Sequence, residues 1–206
     1  MKRVCTIFVF LLFVLNGQAQ NVVIGAQKWK SKNLDVAFYR NGDAIPQVTD
    51  DAEWAALTTG AWCYYNNDST LGKTYGKLYN WYAVNDPRGL APRGWHIPSD
   101  AEWTTLETTL GGSSAAGWKM IEPGTLNWTT PNTAAVKSSG WAGLPGGIRS
   151  FNGSFNGVTK SGYWWSVTES DAANAWFRSL NSYLGGVLIR LSDNKNVGVS
   201  VRCLRN

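Results

Sequence analysis

Three sets of residues in this sequence have the types and spacing to do chemistry. The first set is ionisable. His96 is the only histidine, and it sits between Trp95 and Ile97, three residues ahead of Ser99. An imidazole there has the chemistry of a general base. A lone His with apolar neighbours equally suits a hydrogen-bonded packing residue, and that is the expectation. One histidine excludes a metal centre that needs two or more imidazoles. Glu53 and Glu102 have the chemistry of a glycosidase carboxylate pair. Each, however, follows a capping residue by three positions, Asp50 and Ser99 respectively, which explains its place without catalysis. No Gly-x-Ser-x-Gly phrase marks a serine nucleophile. The chain is therefore expected not to be an enzyme.

The second set is made of oxygen ligands. Asn66, Asn67 and Asp68, or Glu169 with Asp171 and Asn174, have the side chains of a calcium cage. The same residues are what turns use to hold their own backbone, so no cofactor is expected, with calcium as the alternative. The third set mixes aromatic, amide and charged groups: Arg149, Asn152, Asn156, Tyr163, Trp165 and Glu169. Ring faces stack on sugars or clamp peptides, and amides and guanidinium supply directional hydrogen bonds. These six are the candidate ligand-binding residues. Trp164 and Trp165 are neighbours, so on a strand they face opposite ways, and one is expected to be less buried. Against this stands the prospect that most of the 12 Trp form a core.

Short elements must position these groups. Ser99-Asp100-Ala101-Glu102 is a capping box, followed by Trp103, Leu106 and Leu110 at helical spacing and closed by Gly111-Gly112. Asp50-Asp51-Ala52-Glu53 repeats the device before Trp54 and Leu57, with Gly60 as the stop. Strands are expected over 163–168, 175–180 and 186–191, with a turn at 192–196. Val197, Val199, Val201 and Cys203 then fall on one face of a closing strand. Residues 145–157 form a Gly/Asn-rich loop. Two short helices among antiparallel strands make an α+β domain.

The ends of the composition set the address. Lys2 and Arg3 precede an apolar run from Val4 to Leu15, and Gly17-Gln18-Ala19 offers the small residues of a cleavage site. Residues 1–19 are expected to be a signal peptide and 20–206 a single domain, secreted or held at the cell envelope. The run is too short to span a bilayer, so no transmembrane segment is expected in the mature chain. The full chain has 19 Lys plus Arg against 14 Asp plus Glu. Losing Lys2 and Arg3 leaves a small basic excess with no patch, so no nucleic-acid partner is expected. Cys63 and Cys203 remain as an even pair in an oxidising compartment. Joined, they would close a loop of about 140 residues and stabilise by about 4–5 kcal/mol; the alternative is two buried thiols.

Several phrases stand together: Thr58-Thr59-Gly60-Ala61-Trp62-Cys63-Tyr64-Tyr65-Asn66-Asn67-Asp68, Tyr75-Gly76-Lys77-Leu78-Tyr79-Asn80-Trp81-Tyr82, and Pro92-Arg93-Gly94-Trp95-His96-Ile97-Pro98-Ser99. With Leu144-Pro145-Gly146-Gly147, Trp164-Trp165-Ser166 and Ser200-Val201-Arg202-Cys203, they closely resemble the Fibrobacter succinogenes major paralogous domain, a family of exported bacterial proteins. More distantly the pattern is similar to the C-type lectin-like superfamily, which also holds the formylglycine-generating sulfatase modifiers. The resemblance implies a C-type lectin-like fold: two short helices around a small twisted antiparallel sheet with long loops. It also implies that Cys203 lacks a partner if the Cys that relatives often carry at the position of Ala91 pairs with the terminal one. The function expected is a non-catalytic binding module for a glycan or protein. The alternative is a structural or assembly component of the bacterial cell envelope. An enzyme related to the sulfatase modifiers ranks last, because their chemistry uses paired cysteines where this chain offers only Cys203.

Overall fold

Asn, Gly, Pro and Ser recur too often along the chain for long elements to form, and the fold is built from short ones. The computed structural model describes residues 21–124, 126–129, 139–183 and 186–206, so the leader expected over 1–19 lies outside the described residues. The first half runs β1 (Asn21–Ile24), β2 (Gln27–Lys30), α1 (Asp51–Ala55), β3 (Trp62–Cys63), α2 (Ser69–Tyr75), β4 (Leu78–Tyr79), α3 (Trp81–Val84), β5 (Trp95–His96), α4 (Asp100–Thr109) and α5 (Ser113–Met120). Strands follow: β6 (Gly146–Arg149), β7 (Phe155–Val158), β8 (Ser161–Glu169), β9 (Asn174–Asn181), β10 (Ile189–Asn194) and β11 (Leu204–Arg205). They form four sheets, ordered β1-β2-β11-β5, β10-β9-β8, β3-β4 and β6-β7, and all these pairings are antiparallel. The architecture is mixed α/β with several small sheets. Among the described residues there are five α-helices where the sequence suggested two.

The helix starts explain the difference. At α4 the capping box forms in full: Glu102 N donates to Ser99 Oγ at 3.2 Å, and Ser99 N donates to Glu102 Oε2 at 2.8 Å. Trp103, Leu106 and Leu110 then turn inward. At α1 only half of the box forms. Glu53 N donates to Asp50 Oδ1 at 2.8 Å, while the Glu53 side chain stays exposed and the helix lasts five residues. Asp68 and Asn80 cap α2 and α3 in the same manner, and α5 starts directly after Gly112. The sequence had assigned Gly111-Gly112 to a stop, and it is a stop and a restart.

The aromatic strand is β8, and it is covered on both faces. Trp164 and Trp165 do point opposite ways, into two different core clusters, but each is 0% exposed, so neither is the less buried one. On one side Trp29, Trp103, Trp141 and Trp164 pack edge to face, with Trp141 and Trp164 centroids 4.9 Å apart. On the other, Trp165 meets the edge of Phe177 at 5.6 Å and donates from Nε1 to Tyr79 O at 2.9 Å. All of the tryptophans except Trp118 and Trp176 are buried. The tryptophans are mostly core, while Phe38, Phe151 and Tyr183 stay exposed.

β10 runs through Ser192-Asp193-Asn194, which pair with Trp176, Ala175 and Asn174, so the turn falls one step later, at Lys195-Asn196. The expected closing strand is buried but joins no sheet over 197–203. It is one extended segment that bridges to each neighbour in turn. Gly198 exchanges hydrogen bonds with Arg149 of β6, Val199 with Tyr79 of β4, and Ser200 O accepts from Trp165 N of β8. Val201 O then accepts from Leu34 N, and Cys203 O from Lys30 N of β2. Val197, Val199, Val201 and Cys203 lie in one cluster, as the period-two pattern requires. The intervening residues are buried too, because the segment passes between layers. No helix among the described residues is long and apolar enough to cross a membrane.

Candidate functional site

The six candidate ligand-binding residues do not converge, and none of them lines either of the two clefts described below. Trp165 is core. Arg149 is 0% exposed and reaches inward between the rings of Trp54 (4.4 Å) and Phe155 (4.9 Å). Its Nε donates to Gly153 O, Nη1 to Val48 O, and Nη2 to the carbonyls of Thr49 and Asp50 and to Asp51 Oδ1 at 2.8 Å. Every donor of the fork is used to hold the approach to α1, so it has none for a ligand. Asn152 Oδ1 accepts from Ser154 N and Oγ and closes its own loop. Asn156 is exposed on β7 opposite Ile148, and Tyr163 is half-buried with its ring edge-on to Phe177 at 5.9 Å. Glu169 pairs with Lys195 Nζ at 3.0 Å.

The oxygen sets are similarly engaged. Asp68 Oδ1 caps α2 through Thr70 N and Oγ1, and Asn67 Nδ2 donates to Thr49 O. Asp171 Oδ1 accepts from Ala173 N and from Asn174 N and Nδ2. Among the described residues no group of three or more His, Cys, Asp or Glu is gathered to hold a metal ion.

Of the two alternatives for Cys63 and Cys203, the structure has them free and buried. Cys63 belongs to the cluster around Trp54 and Leu78, and Cys203 to the one that also holds Ala91 and Trp165. Burial pushes both thiols up to about 12, Cys63 despite the nearby Arg149 guanidinium. With so little thiolate, neither attacks an electrophile at neutral pH. Iodoacetamide at pH 8 is therefore expected to leave the Cys63 and Cys203 peptides unmodified in the native protein. Both should alkylate fully in denaturant without reductant. Labelling of either peptide in the native state, or of neither after denaturation, would contradict the assignment.

His96 is part of a polar group at one of the two clefts. Its Nε2 lies 2.9 Å from Glu102 Oε1, and its Nδ1 lies 2.9 Å from Asn206 Oδ1. The second oxygen of Glu102 accepts from Ser99 N and from Ser99 Oγ at 2.9 Å. Burial raises the Glu102 carboxyl, but the Ser99 backbone N–H, the imidazole and the Ser99 hydroxyl outweigh it and hold the group below the usual carboxylate range. The carboxylate stands between hydroxyl and imidazole. A nucleophilic serine needs its hydroxyl on the imidazole instead, so this trio fixes the helix start rather than activating Ser99. The cleft beside it has a volume of about 470 Å³ and is lined by the apolar Val84, Leu90, Ile97 and Val167 together with Arg40 and Glu102.

The other cleft encloses about 380 Å³ between residues 31–35, α2 and the 122–127 and 142–144 segments. Its wall carries Ser31, Lys32, Asn33, Asp35, Lys73, Thr74, Glu122 and Asn127, and no aromatic ring. Asn33 is fixed from behind. Its Oδ1 accepts from Trp164 Nε1 at 2.9 Å and from Arg202 Nη2 at 2.9 Å, and its Nδ2 donates to Tyr75 O at 2.8 Å. Arg202 is fully buried, stacked on Trp141 at 4.0 Å, and bonded among the described residues to Asn33 and to the carbonyls of Lys30 and Trp141. Burial without a carboxylate pushes its pKa down to about 9. Asp35 pairs with Lys77, whose ammonium lies 4.5 Å over the Trp62 ring. Lys32 and Lys73 are both exposed, and among the described residues their ammonium groups have no hydrogen-bond or ion-pair partner. Sequence reasoning missed both clefts, since each is lined by short segments far apart in the chain.

No curated protein matches this sequence. The phrases quoted from the sequence, their burial around β8 and the 197–203 segment, and a match to the Fibrobacter succinogenes major domain over residues 22–205 lead to one assignment: the chain belongs to that family.

Proposed function

We propose that this protein is a secreted or cell-surface, non-catalytic binding module of C-type lectin-like fold, and that it takes a glycan in the polar cleft beside α2. The polar cleft itself carries the proposal. A sugar presents hydroxyls in several directions and needs a concave wall of donors and acceptors. Here Lys32 and Lys73 offer ammonium donors, Thr74 a hydroxyl, and Asp35 a partly exposed carboxylate, on a backing held rigid by Asn33 and Arg202. With the tryptophans in the core, recognition rests on hydrogen bonds rather than ring stacking. The non-catalytic part is supported by the buried thiols and by a His96 that meets a carboxylate and an amide instead of a nucleophile. The address outside the cytoplasm rests on the leader-like residues 1–19, and the fold name on the resemblance together with the small antiparallel sheets.

The test is a broad glycan array with the protein from Gln20 onward, run with calcium and with a chelator, alongside the Lys32→Ala/Lys73→Ala variant. Both lysines are exposed, so the variant is expected to keep the wild-type circular dichroism and melting curve. Binding in both conditions, weakened about tenfold or more in the variant, is expected, the equivalent of one charge-assisted hydrogen bond. Equal binding by the variant would remove the cleft from the site. Silence of folded wild-type protein would overturn the glycan reading in favour of a protein partner in the envelope. Binding abolished by the chelator would overturn the metal-free version.

A further inference from the structure

We propose that the cleft beside His96 is a second binding site, and that its ligand is an aliphatic carboxylate whose head group is taken by Arg40. Arg40 is held in place by its own backbone and by one nitrogen of its fork. Its backbone N donates to Gly89 O at 2.8 Å, and its Nε donates to Ala91 O at 3.0 Å. The guanidinium lies so close over Gly89 that a Cβ on that residue would come within 3.2 Å of Cζ and Nη2, and Gly89 has φ +81°. Among the described residues neither Nη group has a hydrogen-bond or ion-pair partner. A guanidinium fixed through Nε, with its two Nη donors free, has the geometry of bidentate carboxylate recognition.

The charges around it leave that site positive. Arg88, the nearby second arginine, is committed to Asp86 and Asp43. Glu102 is the one carboxylate among the residues lining the cleft, and both its oxygens are engaged by His96 and Ser99. The apolar lining of Val84, Leu90, Ile97 and Val167 offers no hydrogen bond from its side chains and suits a short branched hydrocarbon. At about 470 Å³ the cleft is within the ordinary range for a small-molecule site. Two sources share this chemistry, a free branched fatty acid and the C-terminal carboxylate of a peptide ending in an aliphatic residue.

Titration by methyl NMR and calorimetry would use 4-methylpentanoate, acetyl-Gly-Gly-Leu, and acetyl-Gly-Gly-leucinamide. Binding is expected for at least one of the two acids, with shifts at the Val84, Leu90 and Val167 methyls, and for the amide at least about tenfold more weakly. Saturation by 4-methylpentanoate identifies the free acid as source, and saturation by the peptide acid alone identifies a chain terminus. Arg40→Gln is expected to lose binding, and Arg40→Lys to recover only part of it, since an ammonium lacks the fork. Arg40 is exposed, so both variants should melt with the wild type. Binding of neither acid, equal binding of acid and amide, or unchanged affinity in Arg40→Gln would each overturn the proposal. The polar cleft has a separate lining, so none of these results bears on glycan binding.

Discussion

Arg149→Met is expected to lose about 3–5 kcal/mol of stability, a large part of what a domain of this size has. The side chain is fully buried, and its fork ties β6 to the chain approaching α1. Methionine fills much of the space between Trp54 and Phe155 but offers no donor. The carbonyls of Val48 and Gly153 then lose the donor they have, while those of Thr49 and Asp50 keep Asn67 Nδ2 and Trp54 N. Asp51 contributes little to the deficit, because its side chain is 65% exposed and water can take over. Lysine is not expected to rescue, since one ammonium cannot serve acceptors spread over a planar fork. Urea denaturation at neutral pH reads the effect as a fall in midpoint at constant slope. A loss under about 1 kcal/mol would mean that the carbonyls find other donors.

Gly117→Ala is expected to be at least as damaging, although alanine is the better helix former by about 1 kcal/mol. The backbone of α5 lies directly on residues 186–187. A Cβ at position 117 would sit 1.4 Å from Gly186 O and 2.2 Å from its carbonyl carbon. No rotamer relieves a clash between two backbones, so α5 or the chain beyond it must move. That movement opens the Leu188 N to Ser113 O bond and the packing of Ala116 and Met120 in the tryptophan cluster. The expected result is protein that is insoluble, or that melts with a loss of several kcal/mol. Ser114→Ala, exposed on the same helix, is the control and should stay within about 0.5 kcal/mol of wild type. Wild-type stability in Gly117→Ala would show that residues 186–187 yield freely.

What the sequence revealed was local. The Ser99–Glu102 box is a contact between residues three apart, and the helix it starts was legible together with its inward face. The aromatic and β-branched run at 163–168 marked β8 for the same reason. The opposed directions of Trp164 and Trp165 were also legible, but not their burial. A strand covered on both sides and a strand with one wet face can carry the same pair of rings, and only the distant Trp141 and Phe177 decide between them. Arg149 was misread for a related reason: arginine implies a surface until its acceptors are known, and these lie about a hundred residues earlier in the chain. The helices α2 and α3 were missed because each is a turn or two held by a cap, with no apolar repeat long enough to register. The clefts were invisible because their walls are assembled from segments that no short window contains.

The extended segment at 197–203 has a consequence for the order of events in folding. All four sheets touch it or the strand that follows it, and it comes after all the elements it joins. Until it is in place, β2, β4, β6 and β8 each lack a hydrogen-bonding neighbour and the tryptophan layers on either side have no divider. A growing chain therefore has no stage at which its first half can close into a finished unit and wait for the second. Its long-range pairings must all be made late and nearly together, which is the topology of slow folding. During that interval the unfolded chain exposes its tryptophan-rich stretches, and that is when it is most open to aggregation.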